Sequence, residues 1–283
     1  MIKILVDSCS SMSLDEANKK GISVVPMMFT INNNVTNPLD TKMTIQEFYD
    51  LLENHDTEVK TSCVSPQEYY DAFLNIIKNG DDVLYISLSK GLSGSFNSAH
   101  SAKDMLLDDY PNSKIEIINS LSGSIGIKLL IDEAINLVKE KNIEDVRDIL
   151  NDYAKNITST FTIGSLYHLY KGGRLSRTSL VTGNILRIKP IITTSPEGKL
   201  EKQGVALGKN KAISSMISKL DSTIDLNHKT IYIGYTNNFE ECEKTKNKLK
   251  EKYPDIEIKL EPIDMTMGCH CGPQTIAMFY FHK

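Results

Sequence analysis

Residues 82–109 read DVLYISLSKGLSGSFNSAHSAKDMLLDD, and their succession decides the fold class. The apolar run DVLYIS (82–87) reads as a strand, and the segment after Gly94 reads as a helix to about Asp109. Between them serines and glycines alternate, so hydroxyls and backbone N–H groups are offered where a strand ends and a helix begins. Working outward, IKILV (2–6) is a strand, and a helix over 13–21 starts at an N-cap, Ser13, and ends at Gly21. ISVVPMMFTI (22–31) reads as one further strand, with Pro26 marking an edge or a bulge. Capping boxes open helices at Thr44 with Glu47, and at Ser65 with Glu68, where Pro66 takes the first helical position and Gly80 ends the run. KIEII (114–118) is a strand, and a long helix is predicted over 123–140. Strands and helices that alternate in this way imply βαβ units and a mostly parallel sheet.

The second half changes character. TFTIGS (160–165) leads to a short helix ending in YKGGR, then to a helix over 176–187. Runs 189–194 and 199–206 flank SPEGK, a turn with Pro196 and Gly198, and so form an antiparallel hairpin. Helices over 208–220 and 238–252 alternate with strands over 230–235, 256–263 and 274–281. The expectation is an α/β chain of two domains. Residues 1–160 carry a mostly parallel sheet with helices, and 161–283 an α/β domain with antiparallel strands.

Of the 283 residues 40% are apolar and 24% charged, which suits real hydrophobic cores. A net charge of −4 gives no basic footprint for nucleic acid. No stretch approaches the ~20 consecutive apolar residues of a membrane span, and MIKILVDS goes straight into a strand, so a cytoplasmic protein is expected. Five scattered cysteines, an odd number, argue against a disulfide framework.

Several short motifs carry chemistry. Gly91-Leu92-Ser93-Gly94-Ser95 lacks the spacing of a nucleophile elbow, since its second glycine comes one place early. Neither the phosphate-cradling loop ending in Gly-Lys-Ser/Thr nor a dinucleotide fingerprint is present. KGGR (171–174) sets two cations beside flexible backbone, which suits an anion and equally suits a helix C-terminus. GCHCGP (268–273) holds a histidine in a glycine-bounded loop, and its two cysteines are only a fragment of a zinc site. Asp7 and Ser8 follow the first strand, where open α/β sheets bind ligands. Thr61 and Ser62 precede a helix already capped by Ser65, which leaves two hydroxyls without a structural task.

Taken in order, DS at 7–8, TSCVSP at 61–66, SKGLSGSFNSA at 89–99, LYHLYKGGRLS at 166–176, KP at 189–190 and GCHCGP at 268–273 resemble the DegV family along the whole chain. That resemblance implies a two-domain DegV-like fold and a fatty-acid-binding protein of the FakB type. Such a protein holds a long-chain fatty acid between the domains and presents its carboxylate to a separate fatty acid kinase that makes the acyl phosphate. It implies a carrier that is not itself an enzyme, serving phospholipid metabolism, with no cofactor beyond the bound fatty acid, no metal, and transient contact with a membrane surface. Thr61, Ser62 and Ser93 would hold the carboxylate, and Arg174 and His270 would stand at the pocket mouth to meet the phosphoryl group. Asp7, Ser8, Gly94, Ser95 and Gly272 are further pocket-loop candidates. Two departures are visible: DSCSS stands where the family has a threonine and a second acid, and Gln274 replaces a glycine four residues after His270.

The physics agrees with that role. Each buried methylene contributes about 0.8 kcal/mol, on the order of 10 kcal/mol for a long chain before ordering costs. A buried carboxylate needs donors, which Ser and Thr hydroxyls and loop N–H groups supply. A histidine titrating near neutrality would donate to the carboxylate and later meet the phosphate. The competing expectations are a serine/histidine hydrolase acting on an acyl or phosphate ester, and a redox or metal module built from Cys9, Cys63, Cys269 and Cys271.

Overall fold

The computed structural model describes residues 1–54, 56–175 and 188–283. Four strands, β1 (Ile2–Asp7), β2 (Ser23–Val25), β6 (Asp82–Ser87) and β7 (Ile115–Asn119), form a parallel sheet in the order β2-β1-β6-β7. Every residue of β6 after Asp82 is buried, as a parallel sheet covered by crossover helices requires. Those helices are α1 (Leu14–Lys20), α3 (Pro66–Ile77), α4 (Ser95–Asp109), α5 (Ile125–Leu137) and α6 (Ile143–Lys155). A second sheet of six strands joins β8 (Ile157–Thr162), β9 (Ile188–Thr194), β10 (Leu200–Leu207), β11 (Thr230–Tyr235), β12 (Glu257–Pro262) and β13 (Ile276–Phe281) in the order β10-β9-β8-β13-β11-β12. All its neighbours are antiparallel except β11 and β12. The first sheet thus draws only on strands before residue 120 and the second only on strands after residue 156. A boundary at 160 falls inside β8.

Helix α5 lies between the sheets, packing against β1 and β6 of one and β8 and β13 of the other. Its sequence IGIKLLIDEAINL is buried from Ile125 to Ile131 without a break, because apolar residues on every side of these two turns must be covered. One continuous core follows, running from Ile4 and Leu84 through Leu130 to Phe279 and Phe281.

Local signals act as expected at three helix starts. Ser13 accepts the Glu16 N–H, and both capping boxes close, Thr44 with Glu47 on α2 (Ile45–Leu52) and Ser65 with Glu68 on α3. The strand expected over 22–31 is two strands in two sheets. Pro26 has no N–H for a ladder, so β2 ends at Val25 and β3 (Phe29–Ile31) pairs instead with β4 (Asn34–Thr36) and β5 (Val59–Thr61) in a small third sheet. The helix expected over 123–140 ends at Leu137, and α6, which was not predicted, follows behind Asn142, whose side chain accepts the Asp145 N–H. The remaining helices are α7 (Tyr167–Lys171), α8 (Lys209–Thr223), α9 (Phe239–Lys252) and α10 (Met265–Cys271). The helix expected over 176–187 lies outside the described residues. No described helix is long and apolar enough to cross a membrane.

One charge is buried with the core. Lys128 of α5 is 2% exposed, and its ammonium bridges Glu16 of α1 at 2.8 Å and Glu261 of β12 at 3.0 Å. Glu16 also takes Lys20 at 2.9 Å, so the cluster ties the first sheet's outer helix to the second sheet. Removing one partner of a buried pair leaves an uncompensated charge, at a cost of about 3–5 kcal/mol. Lys128→Ala should therefore lower the thermal midpoint by several degrees. A melting curve that stays within a degree of wild type would show that the bridge contributes nothing net.

Candidate functional site: a cavity between the two sheets

Beyond the carboxyl ends of β1, β6 and β7 the loops do not close on one another, and a cavity opens toward the second sheet. Its walls are apolar: Leu88 and Leu92 from the loop after β6, Met27, Met267 of α10, and Phe161 and Phe279 from β8 and β13. At one end the lining turns polar, where Thr61, Ser62, Cys63, Ser93, Arg174 and His270 meet.

The contacts join these side chains into one cluster. Thr61, the last residue of β5, stands 2.9 Å by its Oγ1 from Nε2 of His270. Ser93 Oγ lies 3.5 Å from the Cys63 thiol. Arg174 donates through Nε to the Leu92 carbonyl at 3.1 Å and through Nη1 to the Gly172 carbonyl at 2.6 Å. Among the described residues no carboxylate pairs with Arg174, so a positive charge faces the cavity without a counter-ion.

The serine-glycine loop takes its shape from its own hydroxyls. Ser89 Oγ accepts the Gly91 N–H and donates to the Gly198 carbonyl in the turn between β9 and β10, which pins the loop to the second sheet. Ser93 Oγ accepts the Ser95 N–H at 3.2 Å and donates to the Ser95 hydroxyl at 3.0 Å, so Ser93 stands just ahead of α4.

Behind Ser95 lies a second polar layer. The Ser95 hydroxyl neighbours Tyr69, whose phenol donates to Asp7 at 2.7 Å while Tyr85 donates to the other carboxylate oxygen at 2.8 Å. Asp7 is fully buried there, and burial pushes its carboxyl up to about 6 against the pull of those hydrogen bonds. Asp7 therefore does not line the cavity but supports the layer beneath it. Ser8 likewise has a structural task, accepting the Met27 N–H at 2.9 Å. Gly94, Ser95 and Gly272 stand next to lining residues without lining the cavity themselves.

His270 departs most from expectation. It belongs to the last turn of α10, a helix capped by Asp264, and not to a glycine-bounded loop. Gly268 is needed there for packing, since a Cβ would meet the Tyr49 ring at 2.9 Å. The imidazole Nδ1 is buried and has no protein partner among the described residues. Burial, with Arg174 and His168 nearby, pushes His270 down from 6.5 to about 4, so at neutral pH the ring is uncharged.

The cysteines do not assemble. Cys9, Cys269 and Cys271 are buried, and burial pushes all three thiols up, Cys271 to about 12, away from the thiolate that redox or metal chemistry needs. Among the described residues no group of three or more His, Cys, Asp or Glu side chains is arranged to hold a metal ion. Ser93 has Ser95 and Cys63 as partners, neither of them a base, while His270 faces Thr61.

The depressed histidine has a signed consequence. Because its pKa is lower in the fold than in the open chain, folding stability from this group is full above pH 6.5 and is lost as pH falls toward 4. Imidazole NMR should show His270 neutral down to about pH 4.5 in ligand-free protein, and His270→Asn should lose less stability than wild type between pH 6.5 and 4. A midpoint near 6.5 would place the ring in solvent.

Comparison with known proteins locates the chain among its relatives. The model of the DegV family matches residues 1–283. A DegV domain-containing protein of Clostridium perfringens is 29% identical over 280 residues, 98% of this chain and 96% of that protein. The structure of a stearic acid-binding protein from Eubacterium ventriosum superposes with a TM-score of 0.87 at 25% identity, covering 100% of this chain and 99% of that one. The Streptococcus pneumoniae Fatty Acid Kinase (Fak) B3 protein, loaded with linoleic acid, superposes with a TM-score of 0.86 at 23% identity over the full length of both chains. With its parallel four-stranded sheet, its mixed six-stranded sheet and a family match from end to end, this chain belongs to the DegV family.

Proposed function

We propose that this protein binds a long-chain fatty acid in the cavity between its sheets and presents the carboxylate to a separate kinase. The reading is carried by one observation: an apolar cavity ends in hydroxyls and an Arg174 guanidinium with no described carboxylate partner. An acyl chain takes the apolar walls and its anion takes the polar end. The stearic acid bound by the Eubacterium ventriosum relative and the linoleic acid of the Streptococcus pneumoniae one support the choice of ligand.

In this reading Thr61, Ser62 and Ser93 donate to the carboxylate, and Arg174 and His270 stand at the pocket mouth to meet the phosphoryl group. An arriving anion near the uncharged His270 favours the protonated ring, so binding moves its titration upward. The protein acts as a carrier with two α/β lobes, the first ending near residue 160, and the reactive phosphate comes from the kinase. Ser93 without a base is a ligand holder, and a hydrolase has no support in this geometry.

Denaturing mass spectrometry of freshly purified protein should release a stoichiometric fatty acid, and delipidated protein should rebind one. Absence of both would remove the reading. Ser93→Ala should weaken the acid roughly ten- to hundredfold, the ~1.5–3 kcal/mol of one charge-assisted hydrogen bond, and leave its methyl ester unchanged. Equal losses for both ligands would mean that Ser93 acts through the fold. Arg174→Ala should slow phosphorylation by an added fatty acid kinase far more than it weakens acyl binding. Parallel losses would assign Arg174 to the carboxylate.

A further inference from the structure

The turn that carries Arg174 and the helix that carries His270 are seated on one another through two histidine rings and two glycines. Gly172 has φ −75° and ψ −8°, which any residue adopts, so its backbone does not call for glycine. The left-handed residue that ends α7 is the next one, Gly173, at φ +70°. What excludes a side chain at 172 is His270: a Cβ there would collide with Nδ1 and stand 2.9 Å from Cε1. The contact is returned from the other side. A Cβ on Gly272, just past the end of α10, would collide with the ring of His168 on α7 and stand 2.9 Å from its Cγ. Arg174 closes the arrangement by holding the Gly172 carbonyl.

We propose that Gly172 and Gly272 are positioning residues for the head-group site, the bare backbone of Gly172 holding the His270 ring against Thr61 while Gly272, under His168, fixes the end of the helix that carries it. A methyl group at 172 occupies the space of the ring, so it turns His270 away from Thr61 and moves the carbonyl that orients Arg174. The two sequence motifs, KGGR and HCGP, are then one device split between two segments a hundred residues apart. The interlock itself rests on geometry alone, and its effect on ligand recognition rests on the fatty-acid reading.

The test is a cycle of Gly172→Ala, His270→Ala and the double variant, read three ways. Gly172→Ala in the wild-type background should lower the melting temperature by several degrees and cut the preference for fatty acid over its methyl ester to the level of His270→Ala. In the His270→Ala background, where the ring is gone and the His168 carbonyl at 3.1 Å is the close neighbour left to the methyl, the same substitution should shift the midpoint far less and leave the preference as it is. In ligand-free Gly172→Ala the NMR titration midpoint of His270 should rise from about 4 toward 6.5 as the ring leaves its buried seat. Equal destabilisation in both backgrounds, or an unmoved His270 midpoint with full acid preference in Gly172→Ala, would overturn the proposal. Wild-type protein that binds neither acid nor ester would overturn the fatty-acid reading instead, and the melting cycle and the titration would still decide the interlock.

Discussion

Helical turns with apolar residues on every side must be covered on every side, and the first two turns of α5 impose that condition on this molecule. Their burial from Ile125 to Ile131 requires a sheet on each side, so neither the parallel nor the mixed sheet can be removed without exposing the same helix. Lys128 adds the electrostatic counterpart, an ammonium compensated only when α1 and β12 both approach. The segment that leads into α5 pays with strain: Leu121 and Ser124 hold φ of +53° and +54°, a conformation that residues other than glycine rarely take. Gly123 and Ser124 line the cavity, so the strained approach to the central helix is also part of the site.

The cavity is where the packing of two sheets on one helix stays incomplete. Apolar side chains of the second sheet, of the loop after β6 and of α10 line it, and the loops beyond β6 and β7 are held in place by their own hydrogen bonds. Ser89 bonds to Gly198 across the gap, Ser11 joins Ser124 at 2.7 Å and Asp264 at 2.9 Å, and Asp264 in turn caps the helix carrying His270. Polar groups withdrawn from water are costly unless each finds a partner, and this network supplies them. Burial pushes Asp264 and Asp7 up to about 6 and His270 down to about 4, so burial works against each of these charges, and at neutral pH the imidazole is the one left uncharged. Arg174 has no carboxylate partner among the described residues, and an anion is its natural complement.

The elements legible in the sequence are those whose cause is local. Capping at Ser13, Thr44 and Ser65 lies within a few residues of the helix it starts, and the strand, loop and helix of 82–109 follow from apolar runs and turn residues within one window. The hairpin of β9 and β10 follows from Pro196 and Gly198 in the same way. Motif order along the chain also singled out Thr61, Ser62, Ser93, Arg174 and His270, which the fold gathers around one cavity.

What the tertiary structure alone decided concerns distance in sequence. That 22–31 splits between two sheets depends on β5, some thirty residues away, which takes β3 as partner. That Asp7 supports the site from behind depends on Tyr69 and Tyr85, and no pattern around residue 7 contains them. The charge state of His270 differs from the one its neighbours suggest, because a glycine on either side points to an open loop, whereas a helix end packed on Gly172 takes the ring out of water. Residue types and short spacings determined which groups this chain can bring to a ligand. Which of them touch one another, and with what charge, was set by packing between segments as far as 253 residues apart, because burial is a property of the whole core and not of any window of the sequence.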